Sequence, residues 1–152
     1  MYVDRDEAGN ITGVFKPKQR QGQEYLPDDS IELLLKKAQT AKVAELNIAC
    51  EADVVNGFVS NALGSGHTYK SSRDDQLNLI GAKAAGTDTP LYCRPDGGEW
   101  EWVNHTSAQV QQVLDDGKTI KTALLQQCRT KKAQVLSSAT ATVSAVEAII
   151  WE

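Results

Sequence analysis

Hydrophobic and polar positions change period several times along this chain, and each change marks an element. Tyr2-Val3 and Ile11-Thr12-Gly13-Val14-Phe15 bracket Glu7-Ala8-Gly9-Asn10, so strand-forming residues flank a turn whose glycine and asparagine accept positive φ. This predicts a β-hairpin. A two-stranded hairpin is marginal alone and must lean on another strand, on the helical part or on a partner chain. Residues 16–28 are polar, carry prolines near both ends and read as a linker. Residues 1–27 are therefore expected to form a docking module, and residues 28–152 a helical domain.

Asp29-x-x-Glu32 has the form of a capping box and opens a long helical pattern. Ile31, Leu34, Leu35 and Ala38 make its first apolar stripe, and Ala41, Ile48, Ala49, Ala52 and Val55 a second. The stripes meet near Thr40, which predicts a bend or a change of packing partner there, and Gly57 ends the helix. Phe58-Val59 and His67-Thr68-Tyr69 then flank Gly64-Ser65-Gly66 as a hairpin. Ser72-x-x-Asp75 caps a short helix over Arg73 to Ala85, with Leu77, Ile80 and Ala84 as its apolar face and Gly86 as its stop. Pro90 to Arg94 and Trp100 to Val103 surround Pro95-Asp96-Gly97-Gly98 as another hairpin. Thr106-x-x-Gln109 caps the last long helix, where Val110, Val113, Leu114, Ile120, Leu124, Cys128 and Val135 recur at helical spacing. Gly117 inside it reads as a close crossing or a kink, with a break as the alternative. Thr142 to Trp151 is apolar enough to dock on the core. The expected fold class is α+β, mostly helical, with two short hairpins inserted in a helical body and a separate N-terminal hairpin.

Composition narrows the function classes. A chain of 152 residues is one domain of ordinary size, able to bury a core without disulfides or metal. Its net charge is −4, signs are interspersed and no run of five like charges occurs, so the electrostatic footprint of a nucleic-acid binder is missing. Lys16-Pro17-Lys18-Gln19-Arg20 reads as a solvated loop. Cys50, Cys93 and Cys128 are odd in number, far apart and outside CxxC spacing, which argues for buried small hydrophobes rather than a disulfide framework or zinc site. No stretch approaches the ~20 apolar residues that span a bilayer, and the start lacks a leader pattern, so synthesis in the cytoplasm is expected.

Candidate chemistry is sparse. His67 and His105 have no i,i+4 partner, and structural hydrogen bonding is favoured over a shared metal. Asp74-Asp75 sits where a helix dipole favours negative charge, which accounts for both without acid–base work. Ser65 lacks the first glycine of GxSxG, and Gly97-Gly98 lacks the spacing of a pyrophosphate loop. No cofactor is expected. Strand alternation puts Trp100 and Trp102 on one face, together able to bury on the order of 400 Å². They serve either as the lid of the core, the favoured reading, or as a contact patch. With Tyr2, Val3, Ile11, Val14 and Phe15 of the N-terminal hairpin they make up the candidate partner-contact residues.

Longer motifs carry a resemblance. Lys42-Val43-Ala44-Glu45-Leu46-Asn47, Ala49-Cys50-Glu51, Gly57-Phe58-x-Ser60-x-Ala62-Leu63-Gly64, His67-Thr68-Tyr69, Arg73 to Gly81 and Val146 to Trp151 together resemble the bacteriophage domain of unknown function 4376 over about residues 40 to 151. His105-Thr106, Ala108-Gln109, Val113-Leu114 and Asp116-Gly117 resemble a further stretch of that family. Arg5-Asp6 to Val14 and Pro27-Asp28-Asp29 are similar to the opening of small phage and prophage tail-region proteins. The resemblance implies a non-enzymatic structural or adaptor protein of a tail tip or tail-fibre apparatus, located in the virion tail and partnered by other tail proteins. It also implies a homo-oligomer, with a trimer expected from the symmetry of tail fibres, and assigns no catalytic residues. The alternatives are a tail-fibre assembly chaperone absent from the mature particle and, less favoured, an enzyme acting on host surface glycans.

Overall fold

The structure, a computed structural model, describes residues 1–137 and 140–152. It is an α+β fold that divides into two compact units, Met1–Leu46 with Lys131–Glu152, and Asn47–Thr130. Two small antiparallel sheets, one per unit, accompany the helices.

In the first unit the N-terminal hairpin forms as its turn residues dictate, β1 (Tyr2–Arg5) pairing with β2 (Ile11–Phe15). The expected linker contains a third strand, β3 (Glu24–Tyr25), which pairs with the other edge of β1 and gives the order β2-β1-β3. Two residues of strand are too short for periodicity to reveal. The supporting surface that a lone hairpin lacks comes from this strand and from α1 (Ile31–Val55), because Val3, Ile11 and Leu33 bury together with Met1, Val14 and Leu26 around them. Arg5 ties the same elements by charge, reaching Glu24 on β3 and Glu32 on α1. That contact takes Glu32 away from the expected capping box. Ser30 stands at the start of the helix instead, its hydroxyl accepting from the Leu33 amide at 3.4 Å.

The α1 helix runs unbroken through Thr40, whose hydroxyl donates back to the Lys36 carbonyl at 2.9 Å. What changes there is the packing partner, since Leu35, Ala38 and Val43 turn to a second cluster centred on Leu46, Val135 and Val146. Val135 comes from the end of α3 (Ser107–Leu136) and Val146 from α4 (Val143–Glu147), capped by the Thr142 hydroxyl. Ile149 and Trp151 pack on this cluster too, so the C-terminal segment docks as its apolarity suggests.

In the second unit the two expected hairpins, β4 (Phe58–Ser60) with β5 (His67–Tyr69) and β6 (Thr89–Pro95) with β7 (Glu101–His105), are one sheet. Tyr69 pairs with Cys93 and Thr68 with Arg94, giving the order β4-β5-β6-β7. Gly57 makes the corner into β4. Its φ of +101° and a Tyr69 carbonyl 2.8 Å from where a Cβ would stand both require glycine. The inner face of the sheet buries Phe58, Tyr69 and Cys93 with Ala62 and with Val113 of α3, flanked by Leu79, Leu91, Val103 and Ile120. Gly117 does not break α3. It is the close approach, where an added Cβ would lie 2.8 Å from the Phe58 ring. Between β5 and β6 the chain forms α2 (Arg73–Ala85), with the expected Ser72/Asp75 capping box and Gly86 stop. Its expected face is corrected, for Leu77 and Ile80 are more than half exposed and Leu79 packs on the core instead. All three cysteines are buried.

Candidate functional site

The sheet of the second unit has one face on the core and one uncovered. Along β7, Val103 and His105 turn inward, which leaves Trp102 and Asn104 outward. On β6 the buried Cys93 alternates with Tyr92 and Arg94, and on β5 the buried Tyr69 is flanked by Thr68 and, just past the strand end, the exposed Lys70. Register then decides the neighbours. Tyr92 pairs directly with Trp102, their ring centroids 5.2 Å apart, and Trp100 stacks with Tyr92 at 5.5 Å and 22°.

Two cations sit over this cluster. The Lys70 ammonium lies 5.1 Å from the Tyr92 centroid and 5.2 Å from that of Trp100, and the Arg94 guanidinium lies 5.2 Å from Trp100. Each such contact at an exposed site contributes roughly 0.5–1 kcal/mol. The rings are thereby held in order with their outer surfaces in solvent, on a cationic face of a chain whose net charge is −4.

The favoured expectation that both tryptophans roof the core is overturned for Trp102, which is 71 % exposed. The inner face was already filled by Tyr69, Cys93, Val103 and His105, and a hairpin strand offers each ring only one side. Trp100 is half-buried against Tyr92. Beside the cluster, β5 pairs only with Cys93 to Pro95, so the first half of β6 borders α2 across a cavity of about 220 Å³. Lys70, Asp75, Asn78, Pro90, Tyr92 and Trp102 are among its lining residues.

Other candidate residues lie elsewhere. Val3 and Ile11 are corrected as contact residues: at 1 % and 6 % exposure they are the core beneath the N-terminal sheet, packed on Leu33. Tyr2, Val14 and Phe15 remain half-buried at that sheet, Tyr2 edge-on to Tyr25 at 5.5 Å.

The chemistry of the polar residues is structural in form. His105 is fully buried, its Nδ1 2.7 Å from the Val103 carbonyl and its Nε2 2.7 Å from the Tyr69 hydroxyl. Nδ1 therefore carries the proton, and Nε2 accepts from tyrosine. Burial holds the imidazole below its ordinary pKa against the opposing pull of the Val103 carbonyl. Burial likewise pushes the Tyr69 phenol well above its usual range, with Cys93 adding to the effect. His67 contacts the Ser65 carbonyl through Nδ1. Asp75 is taken up by the Ser72 cap, accepting from its amide and hydroxyl. The Ser60 hydroxyl donates to Asp116 at 2.5 Å and accepts from the Ala62 amide, a buried link that no sequence signal announced. Among the described residues, no three His, Cys, Asp or Glu side chains group so as to hold a metal ion. Nor is any described helix long and apolar enough to cross a membrane.

No curated protein and no solved structure matches the chain. A family model does, over residues 37–150, a span that takes in the whole second unit and the motifs from Lys42 to Ile150. The chain therefore belongs to the family described as a domain of unknown function (DUF4376).

Proposed function

We propose that this chain is a non-enzymatic structural or adaptor protein of a bacteriophage tail, in the tail tip or tail-fibre apparatus, and that it grips a neighbouring tail chain with the Tyr92, Trp100 and Trp102 face. The ordered aromatic cluster, with half-buried Tyr92 and Trp100 carrying an exposed Trp102, is the observation that carries this reading. Large rings with few rotors bind at low entropic cost, and tryptophan, tyrosine and arginine dominate the energetic centres of protein interfaces. The face lies beside β7, an edge of its sheet, so a partner strand can add there while its side chains meet the rings. Lys70 and Arg94 favour a partner surface that is acidic or aromatic. The tail assignment itself rests on the resemblance of the Arg5 to Val14 and Lys42 to Trp151 motifs to phage proteins.

Replacing Trp102 by serine in the producing phage tests the docking face. An interface tryptophan at an energetic centre contributes about 2 kcal/mol or more, roughly thirtyfold in affinity. Density-banded particles should lose most of this chain while the purified variant keeps wild-type circular dichroism and melting. Normal incorporation would remove the aromatic face from the proposal. Its assembly-chaperone alternative predicts a protein abundant in the lysate, bound to unfinished fibre chains and missing from particles of wild type and variant alike.

A further inference from the structure

A second surface points to self-association. The α1 helix carries an apolar stripe directed away from its buried residues Leu46 and Cys50, and the stripe repeats at alternating steps of three and four: Ile31, Leu34, Ala38, Ala41, Glu45, Ile48, Ala52, Val55, with Ala38 at its border half-buried against the Leu46 cluster. Seven of the eight are apolar, and Leu34, Ala41, Ile48 and Val55 fall at strict seven-residue intervals. A globular helix with a core-facing stripe keeps the opposite side polar. Here Ile31 is 80 %, Ile48 71 %, Val55 45 % and Leu34 42 % exposed. Those four side chains leave roughly 400 Å² of apolar surface in water, the size at which an exposed patch marks an interaction site. A seven-residue repeat is the pattern that keeps one seam against a partner helix in a left-handed supercoil.

We infer that two copies of this chain associate through α1 in antiparallel orientation. Charge decides the direction. With Ile31 and Leu34 as the first a and d positions, a parallel pair would stack Glu45 on Glu45 in the seam and set Lys37 beside Lys42 of the second copy. The antiparallel pair sets Leu34 against Ala52 of the second copy, Ala38 against Ile48 and Ile31 against Val55, so large residues meet small ones in the inner layers. Its flanking positions bring Lys37 to Glu51 of the second copy, opposite charges at both ends. Lys42 meets its own copy near the twofold axis, but each Lys42 ammonium is already held by its own Glu45 carboxylate at 2.8 Å. Self-complementarity of this kind is what closed twofold symmetry requires.

Sedimentation equilibrium and cysteine cross-linking of the full chain test this. The wild type should sediment at twice its 16.5 kDa mass. Ile48→Asp, at an exposed position that leaves the fold intact by circular dichroism, should raise the dissociation constant at least tenfold. Lys37→Glu should weaken the dimer as well, and the double exchange Lys37→Glu, Glu51→Lys should restore it, a rescue that a merely local role would not produce. Mixing Leu34→Cys with Ala52→Cys chains should give the mixed disulfide. A monomer throughout the micromolar range, a trimer, or Leu34→Cys cross-linking to itself in preference to Ala52→Cys would overturn the inference.

Discussion

Replacing Tyr69 by phenylalanine removes one oxygen and keeps a ring, which isolates a single buried hydrogen bond. Tyr69 is 4 % exposed, its ring lies 5.7 Å from Phe58 in a near-parallel stack, and its hydroxyl is 2.7 Å from Nε2 of the fully buried His105. Phenylalanine preserves the stack but leaves Nε2 without a donor. Nδ1 stays committed to the Val103 carbonyl, so the ring cannot turn to find another partner. A buried acceptor left unsatisfied costs about 1–3 kcal/mol, and the enclosure of this pair argues for the middle of that range, about 2 kcal/mol. With a urea slope of roughly 1–3 kcal/mol per molar, the unfolding midpoint should fall by about 1 M. The assay is urea unfolding followed by tryptophan fluorescence in a Trp151→Phe background, so that the signal comes from Trp100 and Trp102 in the same unit as Tyr69. A midpoint within about 0.2 M of the parent, with unchanged slope, would show that the pair carries no stability and that the reading of His105 as a structural acceptor is wrong.

The same histidine predicts a pH dependence. Its folded pKa lies below the unfolded value of about 6.5, so the unfolded chain binds the extra proton, and stability is complete above pH 6.5 and declines as pH falls from there towards the folded pKa. The decline approaches about 1.4 kcal/mol per pH unit in that window, and His105→Gln should flatten it in melts between pH 7.5 and 5. Asp6, Asp28 and Glu32, held below the ordinary carboxylate range by Asn10, the N-terminal ammonium and Arg5 respectively, lose their contribution only at lower pH. Ser72→Ala removes the hydroxyl half of the α2 capping box, the acceptor of the Asp75 amide, and should cost about 1 kcal/mol, seen as faster hydrogen exchange at the Asp75 amide with little change elsewhere. Unaltered exchange there would mean that the cap does not hold the helix end.

Local rules read well where the information was local. Ser72-x-x-Asp75, Thr106-x-x-Gln109 and Gly86 stand where capping chemistry places them, the Thr106 and Gln109 groups bonded reciprocally. Val110, Val113, Leu114 and Cys128 are buried at the spacing that named them. What the sequence hid is non-local. Nothing in His67 to Tyr69 or in Cys93 to Pro95 says that these strands pair with each other across α2, because register over such a separation is set by the whole core. On α1 both sides are apolar, so periodicity could not choose the inner one: Leu33 and Leu46 are fully buried, while Ile31, Leu34 and Ile48 face water. The candidate site was half legible. Alternation put Trp100 and Trp102 together, but their exposure depended on Tyr69, Val103 and His105 having filled the other face, and Tyr92, Lys70 and Arg94 join them only through strand register.

The central claim is that this chain is built into a phage tail, and mass spectrometry of density-banded particles against the free lysate protein addresses it directly. A tail component is predicted to appear in the particles at a fixed ratio to known tail chains. Particles free of it, with the protein abundant in the lysate, would contradict a structural role.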